Sequence, residues 1–397
     1  MESFPDKIAE ICLKCFENLP KTGKPGSQEW TVLSGIVREL EGNLAVVALG
    51  TGSKCIGRSK MSKNGDILND SHAEIICKRS FIRYIYSQLE HGGDSFVWDE
   101  NRKKFSLKNG VKFHFFTTQT PCGDASIFPE QIDHEIGEVI EEIPSKRPKL
   151  EIQENYEENS GKPRKIHKTG GKSLLEHSPD INCELMGLVR TKPGRGDPTL
   201  SVSCSDKLSK WVHLGLQGAL LSSILTDPVY LQSFTILSSA PFNETALNRA
   251  LYDRLGPIEL PAPFRRTRVE IHRSSKTFEF AKNDQRRPCD AAISYSLVPV
   301  DEKRIEVAVD GKRQGLTKKQ YGNPGIGRLK ICKRELYEKF LHVCRLKGIP
   351  LRKNDEFLLY KEAKMLDEIY VKAKRVVRGK FDSWTVKNEG LLEFFID

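Results

Sequence analysis

Asn69-Asp70-Ser71-His72-Ala73-Glu74-Ile75-Ile76 is the stretch from which the rest of the chain can be read. Asn69, Asp70 and Ser71 are helix-capping residue types, and the apolar spacing from His72 towards Leu89 predicts a helix that starts here. His72 and Glu74 therefore stand together at a helix start. An imidazole is a strong zinc ligand, and a carboxylate two residues further on lies beside the metal without being forced to bind it. Downstream, Val111 to Thr117 reads as a strand and Pro121-Cys122 follows it. Proline is favoured at the first helical position, so a helix is expected to open at Pro121. Its unpaired amides and dipole would favour a Cys122 thiolate.

A catalytic zinc needs three protein ligands and one open position. Position 125 is Ala125, so no second thiolate stands three residues after Cys122. Cys12 and Cys15 share a helical face with Ile8, Ile11, Phe16 and Leu19, which predicts core packing. Cys77, Cys332 and Cys344 fall in predicted helices, and Cys55 and Cys289 in loops with no helix start behind them. Cys183 and Cys204 remain. Cys204 sits in Ser201-Val202-Ser203-Cys204-Ser205-Asp206-Lys207, directly before a predicted helix over Lys207 to Leu225, and so repeats the placement of Cys122. Placement favours Cys204 and leaves Cys183 open.

The chain has 397 residues, room for one large domain or two ordinary ones. With 29% charged and 38% hydrophobic residues it reads as globular. No apolar run approaches the ~20 residues of a membrane span, and Met1-Glu2-Ser3-Phe4-Pro5 lacks the basic and apolar regions of a signal peptide. The expected setting is intracellular, nucleus and/or cytoplasm, with no membrane partner and with the ten cysteines as thiols or metal ligands. Gly50-Thr51-Gly52-Ser53-Lys54 lacks the ending of a phosphate-binding loop. Glu141 to Pro179 is poor in large apolar residues and reads as a flexible polar insertion in one domain spanning 1–397. The net charge is +10. Between Lys312 and Lys380 stand 20 Lys and Arg against 7 Asp and Glu, so a basic region is appended to a near-neutral body. That distribution points to a polyanion partner.

Strands are expected at Trp30 to Val37, Leu44 to Leu49, Phe234 to Leu237, Arg266 to Ile271, Ala291 to Val298 and Arg304 to Val309. Helices are expected at Leu329 to Leu346 and Phe357 to Arg378.

His-x-Glu followed by Pro-Cys resembles the signature of the zinc nucleobase deaminases. In such chemistry the metal lowers the pKa of water towards ~7, and a carboxylate moves protons to the ring nitrogen and the leaving amine. Asn69 to Ile76, Pro121-Cys122-Gly123-Asp124-Ala125 and Ser203-Cys204-Ser205-Asp206-Lys207 together resemble the RNA adenosine deaminase catalytic domain. The likeness runs from the Trp30 region to Trp384. Members of this family edit double-stranded RNA or convert adenosine 37 of tRNA to inosine.

The resemblance implies an α/β fold, a cytidine-deaminase-like mixed β-sheet flanked by helices, with a helix-rich basic C-terminal elaboration. It implies one zinc held by His72, Cys122 and Cys204, with Glu74 as the catalytic residue. It also implies a buried inositol hexakisphosphate bound by Asn69, Ile75, Lys78, Arg79, Ser201, Lys207, Lys210, Lys333, Tyr360, Lys364, Tyr370, Lys374, Trp384 and Lys387. Tyr360 and Lys364, and again Tyr370 and Lys374, stand one helical turn apart. Lys78 and Lys210 stand where arginine is common in the duplex editors, and Val386 replaces an acidic residue. A polar relay from the inositol phosphate to the zinc thiolate is implied through Asp70, Lys192, Lys207 and Gln217, with Trp211 as a neighbour.

The branch is read from departures. Ser126 resembles the tRNA branch, and Arg195 in Pro193-Gly194-Arg195-Gly196 replaces the glutamate with which duplex editors fill the gap left by a flipped base. The residues before Trp30 are expected to be too few for a double-stranded RNA-binding domain. Anticodon-loop bases are already unpaired, so extrusion costs less there. The expected partner is thus a tRNA anticodon stem-loop, met by a monomer, with Ser53, Lys54 and Arg195 facing the substrate. Editing of double-stranded RNA or mRNA is the alternative; a non-catalytic RNA-binding subunit and a free-nucleoside deaminase are further rivals.

Overall fold

A computed structural model describes residues 2–129, 166–167, 172–173, 186–194, 197–317, 319–320, 323, 325–351, 358–381, 383–386 and 388–396. Cys183, Arg195, Lys387 and nearly all of 141–179 lie outside the described residues.

Helix α1 (Phe4–Glu17) precedes a hairpin of β1 (Leu33–Leu40) and β2 (Asn43–Thr51). Strand β3 (Ser53–Cys55) pairs antiparallel with β4 (Asp70–His72), which runs straight into α2 (Ala73–His91). Then come β5 (Lys112–Thr117), α3 (Cys204–Leu214), α4 (Gly218–Ile224), β6 (Ser233–Leu237), α5 (Glu244–Leu251) and β7 (Glu270–Ser274). The C-terminal third holds β8 (Ala292–Ser296), β9 (Ile305–Val309), β10 (Lys312–Arg313), α6 (Lys333–Leu346), α7 (Tyr360–Ala363) and α8 (Glu368–Gly379).

Eight strands form one mixed sheet in the order β7-β6-β5-β1-β2-β8-β9-β10. β5, β6 and β7 are parallel and the other neighbours antiparallel. Alternation along β5 shows why the sheet is buried on both faces. Phe113 and Phe115 pack with Phe81 and Ile85 of α2, whereas Phe116 packs with Cys12 and Phe16 of α1. Cys12 and Cys15 are core residues of α1, as their spacing predicts: both lie in the cluster of Leu33, Val37 and Leu49. On the other face, α6 packs outside α2 and α8 against α3. The α/β class and the flanking helices expected from the sequence are present.

Two glycines explain how α2 gets close to the sheet. A Cβ at Gly50 would stand 2.4 Å from the Cys77 amide and 2.5 Å from the Ala73 carbonyl. Gly52, at φ +129°, would collide with the Ser71 carbonyl, and its own carbonyl accepts the Ala73 N–H at 3.0 Å. The glycines of this segment therefore serve helix-to-sheet contact, and they fix the first turn of α2.

Several elements differ from the sequence expectation. Asp70 and Ser71 are strand residues, not helix caps; His72 is the N-cap and makes no side-chain cap bond. No α-helix opens at Pro121; a single 3₁₀ turn covers Asp124–Ser126. Gly123, at φ +100° and with Ser203 where a Cβ would go, bends the chain away from a helical path. Cys55 is on β3 rather than in a loop. The helical period from Lys207 to Leu225 is interrupted at Gly215, φ +76°. Phe357 to Arg378 is two helices, α7 and α8, and β7 begins only at Glu270.

Candidate metal centre and buried basic cavity

Parallel strands β5, β6 and β7 end on the same side of the sheet, since Thr117 is level with Ile236 and Leu237 with Ser274. The Pro121-Cys122 turn leaves β5 at this end. Helix α3 starts beside it, with Cys204 as its first residue. The Ser203 hydroxyl accepts the Asp206 N–H, and Asp206 reaches back to the Ser203 N–H. Ser205 stitches the two segments: its hydroxyl donates to the Cys122 carbonyl at 2.9 Å and accepts the Ala125 N–H at 3.1 Å. The Cys204 N–H then points at Cys122 Sγ, 3.4 Å away. Cys122 thus meets a helix N-terminus after all, that of α3 rather than one of its own.

His72 ends β4 on the opposite wall. Its Nδ1 lies 2.9 Å from Asp70 Oδ1, which also accepts the His72 N–H at 3.0 Å. That fixes the ring and leaves Nε2 for a metal, the carboxylate–histidine arrangement that orients metal-bound imidazoles. Glu74 is 4% exposed. Burial raises its carboxyl pKa and Cys122 adds to this, while Lys192 and His72 oppose. The Cys122 thiol is held well below its usual range by the Cys204 hydrogen bond, which outweighs burial, with Lys192 and His72 helping.

Lys192 ties the centre together. A short antiparallel pairing places it: Lys192 N–H donates to Ser201 O at 2.8 Å, and Ser203 N–H to Arg190 O at 2.7 Å. Its Nζ donates to Cys204 Sγ at 3.0 Å and to the Asp70 carboxylate at 2.9 and 3.2 Å. Lys207 binds the other side of Asp70. Burial alone would raise the Asp70 pKa, but Lys192 and Lys207 hold it well below the carboxylate range. Of the implied relay, Asp70, Lys192 and Lys207 are thus one connected chain ending on Cys204. Gln217 is not joined to it: its amide donates to Leu214 O and accepts the Val229 N–H, both backbone.

Beyond Lys207 lies a cavity of about 500 Å³. It is lined by Asn69, Ile75, Lys78, Arg79, Ser201, Lys207, Lys210, Lys333, Tyr360, Lys364, Lys374 and Trp384, and a second lobe of about 180 Å³ adds Tyr370 and Gln217. All the described positions named for the inositol phosphate therefore converge. Nine Lys and Arg side chains line the larger lobe against Asp70 and Glu389. Burial and mutual repulsion push Lys78 down to about 7 and Lys374 to about 8; Lys210 and Lys364 are lowered for the same reasons. The Asn69 side-chain nitrogen is buried with no hydrogen-bond partner among the described residues. An excess of buried cations over carboxylates and an orphan donor are the signs of a site built for an anion with many oxygens.

A model of the adenosine-deaminase (editase) domain matches residues 48–388. This chain belongs to that family. It is 37% identical to tRNA-specific adenosine deaminase 1 of Drosophila melanogaster, over 98% of this chain and 96% of the relative. It is 32% identical to the human protein of the same name, over 96% of this chain and 97% of the relative. Likeness to the double-stranded RNA-specific adenosine deaminase of Mus musculus is 28%, over 99% of this chain but 33% of that longer protein.

Within this editase domain, some functional neighbours escaped the sequence reading. Lys361 and Arg378 also line the cavity. Arg378 could have been found, being one turn beyond Lys374 on α8, and it stacks on Trp384 at 5.3 Å. Cys55 Sγ lies 3.6 Å from His72 Nδ1, and Cys55, Asp70 and His72 bring their donor atoms within 4.8 Å of one another, a closeness that His72, Cys122 and Cys204 do not reach as a set. The Cys55 group is still the poorer metal site, because Asp70 is already saturated by two lysines and both groups compete for the same ring nitrogen. Arg249, on α5, clamps the Cys122 turn through Asp124 at 3.0 Å. Of the substrate residues, Ser53 pairs with His72 in register and its hydroxyl is buried with no partner among the described residues. Lys54 faces Asp290 at 3.8 Å. The Ser126 hydroxyl donates to Pro121 O at 2.9 Å, so this branch marker also braces the turn.

Proposed function

We propose that this chain hydrolytically deaminates adenosine to inosine in tRNA, at position 37 beside the anticodon. The observation that carries the reading is that Cys122 and Cys204 come together from distant segments at the start of α3, while Lys192 joins Cys204 to the Asp70 carboxylate that orients His72, two residues before Glu74. Two thiols and an oriented imidazole fit zinc, and His72, Cys122 and Cys204 would hold it, supplying Lewis acidity that makes water a nucleophile at neutral pH. Glu74 takes a proton from the attacking water, passes it to purine N1, and returns a proton to the departing amine. Its burial raises the carboxyl pKa, which favours its holding that proton. Lys192, with Asp70 behind it, stabilises negative charge on Cys204 and fixes the His72 ring. Ser53 offers its hydroxyl to the base.

For tRNA over duplex RNA, the support is the near full-length likeness to tRNA-specific relatives and Ser126. The basic cavity is assigned to inositol hexakisphosphate, whose six phosphates match the clustered cations and the Asn69 donor. Inosine mapping on total tRNA incubated with the purified protein, beside a long RNA duplex, tests the reading. Inosine at position 37 is expected; inosine confined to the duplex would overturn the choice of substrate. Metal analysis should find one zinc per chain, and denatured protein should release inositol hexakisphosphate.

A further inference from the structure

The outer edge of the sheet carries a built arrangement of arginines that neither the metal centre nor the cavity uses. Among the described residues, strand β7 pairs with β6 alone, as the end of the strand order. In the segment leading into it, Phe264-Arg265-Arg266-Thr267-Arg268-Val269, the two apolar ends are buried and the three arginines exposed. The backbone is pinned from beneath. The Tyr230 hydroxyl accepts the Arg265 N–H at 3.0 Å, the Tyr252 hydroxyl accepts the Val269 N–H at 2.9 Å, and the Thr267 hydroxyl donates to Val212 O at 2.5 Å. Each guanidinium is also held over a ring: Arg265 lies 5.8 Å from the Tyr230 centroid, and Arg266 and Arg268 lie 5.9 and 5.7 Å from that of Tyr252. Further along the edge, exposed Arg273 lies 5.0 Å from the Phe242 ring. Among the described residues, Arg266 has one weak carboxylate contact, Asp253 at 3.8 Å, and Arg265, Arg268 and Arg273 have no carboxylate within 4 Å.

Stacked guanidinium groups lose little further freedom on binding, and although Arg273 donates to Ser238 O at 2.7 Å, the exposed Arg265, Arg266 and Arg268 present N–H forks that suit phosphate oxygens. The strip also has a direction. The C-terminal end of β7 lies on the side of the sheet where β5 delivers Cys122, so the arginines run away from the metal centre along one edge. We propose that this edge docks the phosphate backbone of the tRNA body, outside the anticodon loop. The inference rests on the tRNA reading above and adds a second contact surface to it. A continuous backbone running away from a loop held at the metal centre is what a strip of exposed arginines along one edge complements.

The test is the triple variant Arg265→Gln/Arg266→Gln/Arg268→Gln in the full chain. Binding of intact tRNA and of its isolated anticodon stem-loop is measured by anisotropy over a series of salt concentrations, together with inosine formation on each. The expected result is an affinity for intact tRNA at least tenfold weaker, with a salt slope lower by about 2, given ~0.7–0.9 per lost phosphate contact. The loss on intact tRNA should exceed that on the stem-loop at least tenfold. Equal losses on both RNAs, or an unchanged slope, would overturn the strip. A variant that keeps its tRNA affinity but self-associates in sedimentation would overturn it too, because the arginines would then serve only to protect an exposed sheet edge. Arg265→Lys, which keeps charge and stem but loses the fork, should fall between wild type and the glutamine variant and guards against a folding defect. Strip-dependent tRNA binding without inosine formation would sink the deamination reading and leave the strip standing.

Discussion

The metal centre and the basic cavity are both buried and both touch Asp70, yet their electrostatics are opposite. At the centre, the groups compensate one another: Lys192 is shared between Asp70 and Cys204, and Asp70 orients His72. In the cavity, nine cations face two carboxylates, and Lys78 and Lys374 are pushed down to about 7 and 8. A buried charge network is tolerated when each member has a partner within the fold, whereas a one-sided one needs a partner from outside. On that argument the centre balances its charges within the protein, whereas the cavity carries an excess of positive charge that a bound anion would offset.

The sharpest way to break the comparison is at the centre. Cys204→Ala should reduce zinc from one per chain to near zero by metal analysis and abolish inosine formation. Zinc retained at full occupancy would mean that Cys55 or another donor supplies the third ligand. Glu74→Gln separates chemistry from binding: inosine formation should fall by ~10³-fold or more while zinc stays. Substantial remaining turnover would remove Glu74 from its proton-carrying role.

A smaller effect is expected at the boundary between the two regions. Lys192→Met removes the one group among the described residues that hydrogen-bonds both Asp70 and Cys204, leaving a buried carboxylate with one of its two lysines. Losing one partner of such a pair costs about 3 kcal/mol, which urea denaturation would read. Lys207→Met, at a more exposed residue (18% against 1% of the side chain), should cost less. Equal costs would mean that the relay does not end on the thiolate in any energetically meaningful way.

Legibility differed between the regions for a physical reason. His72, Glu74 and Cys122 are chemically conspicuous, and Cys204 could be picked out because it precedes a helix. What local pattern could not supply was contact across segments. Cys55 reaches His72 only because β3 pairs with β4, and Cys122 meets a helix N-terminus that belongs to a segment 82 residues later. Gly123 denied Pro121 the helix that proline at a first position suggests, since its φ of +100° turns the chain under Ser203. The cavity was readable only through the family resemblance. Spaced lysines look alike whether solvated or buried; that these face inward follows from α6, α7 and α8 folding over α2 and α3. Arg378 and Lys361 were missed on that account, although Arg378 shares the helix face of Lys374.

The finest test concerns pH and follows from the lysines of the cavity. In protein refolded without a polyanion, Lys78 and Lys374 titrate near 7 and 8, against an ordinary lysine value of 10.5 in the unfolded chain. Between these values the unfolded chain binds more protons than the folded one, so stability must rise with pH, from about 7 towards the unfolded value. Lys210 and Lys364 are lowered too and act in the same direction. Bound polyanion reverses the balance, because each phosphate favours the charged lysine; the folded-state values then move back up and the rise disappears. Refolding yield without inositol hexakisphosphate should therefore increase between pH 7 and 9, and with it the yield should be flat over the same range. Lys78→Met should abolish part of the rise, since a neutral side chain has no proton to lose. Parallel profiles with and without the polyanion would mean that these lysines are neutralised within the fold, and the cavity would then be no more dependent on an outside partner than the metal centre beside it.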